Sequence, residues 1–425
     1  MDLFDIKEHK DWIAKDVLGR FLRYVKIHTT SDKHTASGPS TAGQWDLARL
    51  LLDELLAIGI RDASLNDQCY VVARLPSNLS PDHEAPVFGF MAHMDTAPDL
   101  TGKDVKPRVI ENYDGGPISL NNQHVLDPET YPALLDYRGA TLVTTDGTTL
   151  LGADDKAGVA EIMTAATFLQ AHPEIPHGQI ELYFTPDEEI GRGMDRFPTG
   201  MAKSEFCYTL DGDEEGSIEA ECFTAYKVEA EFHGMVIHLG DARGKLANAV
   251  TMAATFVSML PRSESPEATD GRFGYYCPLE IHGDLDHASV EVYLRDFDLS
   301  EVQRRIAFLE SLANTVEAAF PRSRVEVRVE KQYLNMREAL DKRPEVIDYL
   351  KEAIRRTGIE PKEKIIRGGT DGARFTEMGI PTPNVFAGGH NFHSRFEWVP
   401  LPAMVRACET VINLSQLWSQ PRQQL

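Results

Sequence analysis

The spacing of apolar residues changes along the chain, and the first half alternates between two patterns. Apolar residues recur at helical spacing over 47–58, and Gly59 follows where such a helix would end. Between helical stretches lie short runs that are almost wholly apolar: VFGFMA before His93, IELYFT before Pro186, FCYTL before Asp211 and PNVFA before Gly388. Runs of this length, alternating with helices, are typical of buried strands in a largely parallel sheet.

From about residue 218 the pattern becomes an alternation of apolar residues with mostly charged ones, over 226–232, 290–295 and 325–329. Such alternation predicts strands with one face in water. Helical patterns at 243–260 and 299–320 fall between them, and CPLEIHG at 277–283 supplies a fourth strand. The resulting order, β-α-β-β-α-β, is the split βαβ, ferredoxin-like plan.

The buried-strand pattern returns after about residue 333, so the alternating region is predicted to be an insertion. The sequence thus predicts an α/β fold with a mostly parallel sheet, formed by 1–218 and 333–425 and interrupted by a ferredoxin-like α+β domain at 219–332. A chain of 425 residues is longer than one core usually organises, and a hydrophobic content of 42% is enough for two cores.

Composition excludes several classes of protein. The formal net charge is −23 and no basic run offers a footprint for phosphates, so nucleic acid is not expected as a partner. No apolar run of about 18 residues and no export signal is found, so no membrane association is expected. The five cysteines are odd in number and form no CxxC pair, which argues against a disulfide framework and favours a cytoplasmic protein.

Residues of the type that bind metals follow the buried strands. In open α/β sheets, ligands gather outside the carboxyl ends of the strands. The side chains that meet there come from five segments: His93 with Asp95, Asp154, Glu188 with Glu189, Asp211, and His393. Asp95 lies two residues after His93 and so faces the same way along a strand, where it can hydrogen-bond the imidazole and fix its tautomer.

Each of these features alone has an ordinary explanation. The His93 and Asp95 pair could be a simple hydrogen bond, Asp154 and Asp155 a doubled helix cap, Glu188 and Glu189 solvated loop residues, and His393 with Glu397 a surface pair. Their common location at one edge of one sheet favours a shared site, because independent surface features would not all fall there.

Charge balance predicts two metal ions in that site. Clustered carboxylates raise their own pKa values unless cations lie among them. Two divalent ions carry four positive charges, against three negative charges from Asp154, Glu189 and Asp211 and one from a hydroxide. In that balance Asp154 bridges the two ions, and Asp155 with the following helix holds the bridge. Imidazole and carboxylate ligands without thiolate suit Zn²⁺, and Co²⁺ or Mn²⁺ could occupy the same site.

The combined motifs resemble the peptidase T (tripeptide aminopeptidase) family of dizinc metallopeptidases. The resemblance runs from about Tyr24 to Met404 and rests on these segments: GFMAHMDTAPD, LVTTDGTTLLGADDKAGVAEIM, HGQIELYFTPDEEIGRG, YTLDGD, RGGTDGARFTEMGIPTPN and HNFHSRFEWVPL. It implies a zinc-peptidase-like catalytic domain, a lid formed by the insert, two Zn²⁺ per subunit and small peptides as substrates.

The resemblance also implies the role of each site residue. Asp154 would bridge the two zinc ions and be followed by a cis peptide to Asp155. One ion would be held by His93 and Asp211, and the other by Glu189 and His393. Glu188 would be the general base, and Asp95 the partner of the His93 imidazole. We expect Glu188→Gln to retain metal and lose turnover.

Three substrate contacts are expected in the insert, and a fourth, from Arg367, after it. The segment HGMVIHLGDARGKLANAV resembles a substrate-facing segment of the family, although Leu239 replaces its usual proline. The resemblance implies that His238 binds the substrate or the oxyanion. Asn248, Arg295 and Arg367 are further candidates for binding a peptide's carboxylate or carbonyls, since arginine offers a bidentate fork. Lids of this kind often pair subunits, so a homodimer is an expectation of the resemblance.

Three functions stay open on the sequence. The favoured one is an aminopeptidase that releases the N-terminal residue from tripeptides. The second is a dizinc hydrolase of N-acyl amino acids or a carboxypeptidase-like amidohydrolase, which would not require a free α-amino group. The third, a metal-binding protein without catalysis, is disfavoured because it has no use for a base such as Glu188. An NAD-dependent enzyme is disfavoured because no GxGxxG follows the first strand.

Overall fold

The computed structural model describes residues 4–198 and 200–420, which divide into two compact units. Unit 1 comprises Met1–Ala220, Glu338–Lys364 and Thr370–Leu425, and unit 2 comprises Glu221–Arg337 and Ile365–Gly369. The insert predicted at 219–332 differs from unit 2 by a few residues at each end and by the short segment Ile365–Gly369. Within the described residues, no helix combines the length and the apolar character needed to cross a membrane.

The described residues contain nine α-helices: α1 Lys10–Tyr24, α2 Gly43–Ala57, α3 Ala153–Ala171, α4 Ala249–Ser258, α5 Leu299–Ala319, α6 Arg337–Asp341, α7 Pro344–Arg356, α8 Asp371–Glu377 and α9 Leu401–Trp418. The strands are β1 Asp62–Leu65, β2 Val71–Leu75, β3 Phe88–His93, β4 Arg108–Ile110, β5 Ile118–Ser119, β6 Val125–Leu126, β7 Leu142–Thr144, β8 Ile180–Thr185, β9 Phe206–Gly212, β10 Ser217–Cys222, β11 Thr224–His233, β12 Tyr275–Gly283, β13 His287–Asp296, β14 Arg324–Tyr333, β15 Lys362–Ile366, β16 Asn384–Phe386 and β17 Trp398–Pro400.

Unit 1 is built on an eight-stranded sheet of order β1-β2-β8-β3-β9-β16-β10-β15. The central strands β8, β3, β9 and β16 run parallel, as the apolar runs predict. The flanking pairs β1 with β2, β2 with β8, and β10 with β16 are antiparallel, so the sheet is mixed. β1 and β2 are joined by only a few residues, and such a short connection can join only antiparallel neighbours.

Helices cover the central strands, so these strands are buried on both faces. Every residue of β3 and β8 is buried. α3 contacts β3 and β9 and is itself covered by α1 and α9. On the opposite face, Met91 and Tyr183 pack with Phe375 of α8. This double covering explains why these strands lack any polar alternation.

The parallel arrangement brings the carboxyl ends of the central strands to one edge. β3 ends at His93, β8 at Thr185 and β9 at Gly212. β16 ends at Phe386 and leads to the segment that contains His393. The first turn of α3 contributes Asp154 to the same edge, so every predicted metal ligand lies at this edge of the sheet.

Unit 2 has its own four-stranded sheet, of order β12-β13-β11-β14, with antiparallel neighbours throughout. α4 and α5 pack on one face of this sheet around a shared core that includes Val228, Phe232, Phe256, Val292 and Leu309. Its element order, β11-α4-β12-β13-α5-β14, is the β-α-β-β-α-β order that the alternation of apolar and charged residues predicts.

Candidate functional site

Two of the predicted ligands are supplied by neighbouring parallel strands. His93 ends β3 and is buried, and Asp211 lies near the end of the adjacent strand β9. The register of the two strands pairs Met91 with Thr209, which sets His93 opposite Asp211. His93 Nε2 lies 3.5 Å from Asp211 Oδ1. The backbone of the sheet therefore fixes this pair of donors.

Asp154 lies between two histidines and offers one oxygen to each. Its Oδ1 is 2.9 Å from His93 Nε2, and its Oδ2 is 3.1 Å from His393 Nε2. Glu189 Oε2 is 3.1 Å from the same nitrogen of His393. The structure thus brings all five predicted ligands together, with the Asp154 carboxylate in the middle.

The donor atoms have the spacing of a metal site. Two ligands each about 2.0–2.1 Å from a tetrahedral zinc ion lie about 3.3 Å apart. The distances between neighbouring donors here, from 2.9 to 3.5 Å, bracket that value. Glu189 Oε1 is buried and has no hydrogen-bond partner among the described residues. Burying a carboxylate oxygen without a partner costs free energy unless a cation binds it. The site therefore fits a divalent ion.

The pKa values in the cluster reflect crowded, buried carboxylates. Burial and the charge of Asp154 raise the pKa of Glu189 to about 8, and burial raises that of Asp211 to about 6 despite the nearby His93. Burial alone would raise the pKa of Asp154, but hydrogen bonds with His393 and His93 hold it below its usual range. Hydrogen bonds to Asp154 and Glu189 raise the pKa of His393 to about 11. The site as a whole therefore favours positive charge.

Asp95 has two contacts in the site. One of its oxygens lies 3.2 Å from His93 Nδ1, on the side of the chain that its spacing predicts, but this nitrogen makes no hydrogen bond among the described residues. The carboxylate also accepts the backbone N–H groups of Glu188 at 3.0 Å and of Glu189 at 3.1 Å. Asp95 therefore lies against a histidine and also holds the turn Glu188–Ile190, a contact that the sequence does not indicate.

Glu188 lies beside the predicted ligands, with its Oε2 4.0 Å from His93 Nε2. Burial raises its pKa well above the usual range, and the charge of Asp211 adds to this effect. Oxygen and nitrogen atoms of Glu188, His93 and Asp211 also lie within 4.8 Å of one another. The position of Glu188 is thus compatible with two roles, a general base and a third metal ligand. A substitution is needed to distinguish them.

Asp155 holds the segment next to the bridging carboxylate. It is buried and accepts the backbone N–H of His93 at 3.1 Å and that of Gly158 at 3.2 Å. The expected cis peptide joins it to Asp154. Asp155 therefore connects the first turn of α3 to the end of β3, which is the supporting role that charge balance suggests for it.

Glu397 is not the surface partner of His393 that its spacing suggests. It is buried, and its carboxylate accepts the backbone N–H groups of Leu151, Gly152, Ala153 and Asp154. His393 instead has Asp99 beside it, with its Nδ1 3.3 Å from Asp99 Oδ2. Asp99 relates to His393 as Asp95 relates to His93. Nothing in the sequence spacing connects Asp99 or Glu397 to these partners, because the contacts depend on the fold.

The predicted substrate-binding residues all lie in unit 2. His238 precedes the short turn Leu239–Asp241 and its side chain is exposed. Asn248 caps α4 by accepting the Thr251 N–H at 3.3 Å. Their part in substrate binding stays a prediction.

The two predicted arginines of unit 2 have partners within that unit. The Arg295 guanidinium donates to the carbonyls of Tyr226 and Leu294. Arg367 donates to the Gly271 carbonyl at 3.2 Å and to Thr269 Oγ1 at 3.0 Å. Each guanidinium has further N–H groups that can donate to other acceptors, and a role in binding peptide stays a prediction for both.

The sequence matches a known family and close relatives. The model of peptidase family M20/M25/M40 matches residues 143–416. A peptidase T from Geobacillus thermodenitrificans is 45% identical over 410 residues, covering 96% of this chain and 99% of the relative. A peptidase T from Clostridium perfringens is 46% identical over 406 residues, covering 96% of this chain and all of the relative.

Solved structures share the fold at low sequence identity. Aminopeptidase PepT from Bacillus cereus aligns with a TM-score of 0.73 at 22% identity, covering 96% of this chain and 99% of that chain. A tripeptidase from Staphylococcus aureus aligns with a TM-score of 0.74 at 21% identity, covering 96% and 98%. A dinuclear metal binding peptidase of the M20 family from Bacillus subtilis aligns with a TM-score of 0.65 at 13% identity, covering 96% and 98%.

Proposed function

The chain belongs to peptidase family M20/M25/M40 and is a tripeptide aminopeptidase, and we propose that it acts through two zinc ions bound by the histidines and carboxylates described above. The observation that carries this proposal is the Asp154 carboxylate, whose two oxygens each lie near a different histidine. A carboxylate so placed is the natural bridge of a two-metal site.

The ligands divide into two sets on this proposal. His93 and Asp211 would hold one ion, Glu189 and His393 would hold the other, and Asp154 would join both. The division is supported by the close approach of His93 to Asp211 and of His393 to Glu189. Elemental analysis of the purified protein tests the number and identity of the ions, with cobalt and manganese as the alternatives to zinc.

The residues around the ions would carry the proton transfers. When bound, the ions would supply Lewis acidity, which acidifies a water molecule and polarises the scissile carbonyl. Glu188 would accept a proton from the attacking water at its carboxylate and deliver it to the leaving amine. Asp95 would keep the His93 imidazole in one tautomer and keep the turn that bears Glu188 in place.

Unit 2 would serve as the lid and bind the peptide. His238 would bind the substrate or the oxyanion, and Asn248, Arg295 and Arg367 would bind its carboxylate or carbonyls. The exposure of His238 and the donors on the two arginines support this assignment. Steady-state kinetics of His238→Ala, with the metal content measured alongside, tests it: a changed kcat or KM at unchanged metal content is expected.

The proposal extends to assembly and location. β12 is an edge strand of unit 2 and exposes Leu279 and Ile281, and exposed edges of this kind pair readily. A homodimer is therefore expected, and light scattering measures it. The five cysteines are free, and four of them are buried, which supports a reducing compartment such as the cytoplasm.

The activity is tested with one apolar tripeptide and its N-acetylated twin, using zinc-loaded protein. We expect cleavage of the free-amine peptide alone, with release of its first residue. Equal or faster cleavage of the acetylated peptide would be consistent with the proposed two-metal hydrolysis. It would identify the substrates as N-acyl amino acids or the reaction as carboxypeptidase-like.

A further inference from the structure

We propose that Glu397 is a positioning residue that sets the bridging carboxylate of Asp154 and, through it, the affinity of the metal ion held by Glu189 and His393. The inference rests on the proposed two-metal centre. Glu397 itself lies outside the ligand set, and it acts by joining the backbone of residues 151–154 to its own segment, which carries His393.

The Glu397 carboxylate is fully engaged by one turn of backbone. Its Oε2 accepts the N–H groups of Leu151 at 2.6 Å and Gly152 at 2.8 Å. Its Oε1 accepts those of Ala153 at 2.6 Å and Asp154 at 3.2 Å. The residue is 1% exposed, so water does not compete for these donors. Each oxygen thus fixes two consecutive N–H groups of the turn that delivers Asp154.

Only an anionic acceptor matches this set of donors. Four N–H groups converge at the start of α3, where helical N–H groups have no partners within the helix. A carboxylate presents two oxygens that both accept. A glutamine of the same shape presents one acceptor and one NH₂ donor, which would face two N–H groups. Glu397→Gln therefore removes half of the contacts with little change in volume.

The same short segment also carries a predicted ligand. His393 lies four residues before Glu397, and its Nε2 is 3.1 Å from Asp154 Oδ2. Glu397 therefore connects the segment of His393 to the turn of Asp154, and a shift of either would separate these two donors. His93 and Asp211, in contrast, are held by the adjacent strands β3 and β9.

This difference makes the expected effect unequal between the two ions. In Glu397→Gln, the ion assigned to His93 and Asp211 should still bind tightly. The ion assigned to Glu189 and His393 should bind about 10- to 100-fold more weakly, which is the usual cost of losing a group that orients ligands.

Glu181 supplies a matched control. It is also fully buried, and it accepts the backbone N–H groups of Lys203 and Ser204, each at 2.7 Å. It lies on β8 near Ile180, whereas the site lies beyond Thr185 at the other end of the strand. Glu181→Gln should therefore lower thermal stability and leave both metal affinities unchanged.

The experiment titrates Zn²⁺ out of wild type, Glu397→Gln and Glu181→Gln with a chelator and counts the metal retained per chain. Binding of Co²⁺ to the metal-free proteins, followed by its visible absorption, gives a second readout. We expect one tight and one weakened ion in Glu397→Gln, with kcat restored by added metal and KM little changed. Two wild-type affinities, or an equal loss of both, would overturn the proposal.

Two further results keep the test decisive. If Glu397→Gln does not fold, Glu397→Asp keeps the charge on a shorter side chain and should weaken the same ion by a smaller factor. Wild-type affinities in Glu397→Asp would then count against the role. A wild-type protein that binds fewer than two ions would contradict the proposed two-metal centre itself. Failure of that centre is therefore distinguishable from failure of the role proposed for Glu397.

Discussion

Two adjacent glutamates in one turn face different partners, and their substitutions should have different effects. Glu189 lies 3.1 Å from His393 and is assigned as a ligand, whereas Glu188 is assigned as the base. Glu188→Gln removes a proton acceptor and keeps the shape, so we expect full metal content and a kcat reduced about 10²–10⁴-fold. Metal analysis and steady-state kinetics on the same samples check this.

Glu189→Gln is the control for that substitution, because it should lose metal as well as turnover. A Glu188→Gln protein that loses one ion would instead identify Glu188 as a third ligand beside His93 and Asp211. A Glu188→Gln protein with near-normal kcat would remove Glu188 from the role of base.

Two buried glutamates outside the proposed ligand set differ in their partners, and the same substitution should change the free energy of unfolding in opposite directions. Both carboxylate oxygens of Glu161 in α3 are buried without a hydrogen-bond partner among the described residues, and burial raises its pKa. Glu181 is bonded to Arg74 at 2.7 Å and to the Ser204 N–H at 2.7 Å. Glu161→Met should raise the free energy of unfolding by about 1–3 kcal/mol, since it removes an unsatisfied polar group.

Glu181→Met should lower the free energy of unfolding by about 1–3 kcal/mol, because it leaves the backbone N–H groups of Lys203 and Ser204 without their acceptor. Denaturant unfolding of both variants at the same pH measures the two changes. If Glu161→Met instead lowered the free energy of unfolding, Glu161 would have a stabilising partner beyond those seen among the described residues.

Sequence spacing indicates some site residues well and others not at all. His93, Asp211 and Glu189 follow buried apolar runs, and the edge of a parallel sheet gathers whatever follows its strands. Glu397 and Asp99 lie in loops. Glu397 contacts the backbone of residues 151–154, and Asp99 contacts His393. Contacts of this kind depend on the path of the loops. A loop path leaves no periodic pattern of residues in the sequence.

At the scale of elements, the packing of α3 on β9 depends on one glycine. A Cβ on Gly158 would lie 2.1 Å from the Leu210 carbonyl oxygen and 2.4 Å from Asp155 Oδ1. Gly158→Ala must therefore push the helix off the strand and displace Asp155. We expect the free energy of unfolding to fall by about 1–3 kcal/mol, with weaker metal binding.

Gly19 is the matched control, because it lies inside α1 and a Cβ there would meet nothing within 4 Å. Gly19→Ala should raise the free energy of unfolding by about 1 kcal/mol through helix propensity alone. Thermal denaturation and metal titration of both variants measure the difference. A Gly158→Ala protein as stable as Gly19→Ala would mean that α3 and β9 are not in close contact.

The length of an element decides whether the sequence displays it. Strands such as β3 and β8 contain six residues each, so their continuous burial is visible as an apolar run. The small sheet β17-β7-β4 and the hairpin of β5 with β6 contain only two or three residues per strand, too few to show a period. They are held together by a cluster around Trp398 and Leu142, which only the fold assembles.

At the scale of the whole molecule, the two units have separate cores, and the sequence displays this division as a change from continuous to alternating apolar patterns. The sequence does not show that Ile365–Gly369 belongs to unit 2, because five residues are too few to form a pattern of apolar positions. All five proposed metal ligands lie in unit 1. The net charge of −23 and the crowded carboxylates of the site both oppose folding of the metal-free chain.

Metal removal should therefore weaken unit 1 and leave unit 2 little changed. A ligand at about 100 times its Kd adds about 2.7 kcal/mol of stability per site, and that stability belongs to the unit that binds it. Hydrogen exchange of the zinc-loaded and chelator-treated proteins, resolved by peptide, measures this. We expect faster exchange in β3 and α3 of the treated protein, and unchanged exchange in β11, β13 and α5. Equal loss of protection in both sets of elements would show that unit 2 depends on the metal centre for its own stability.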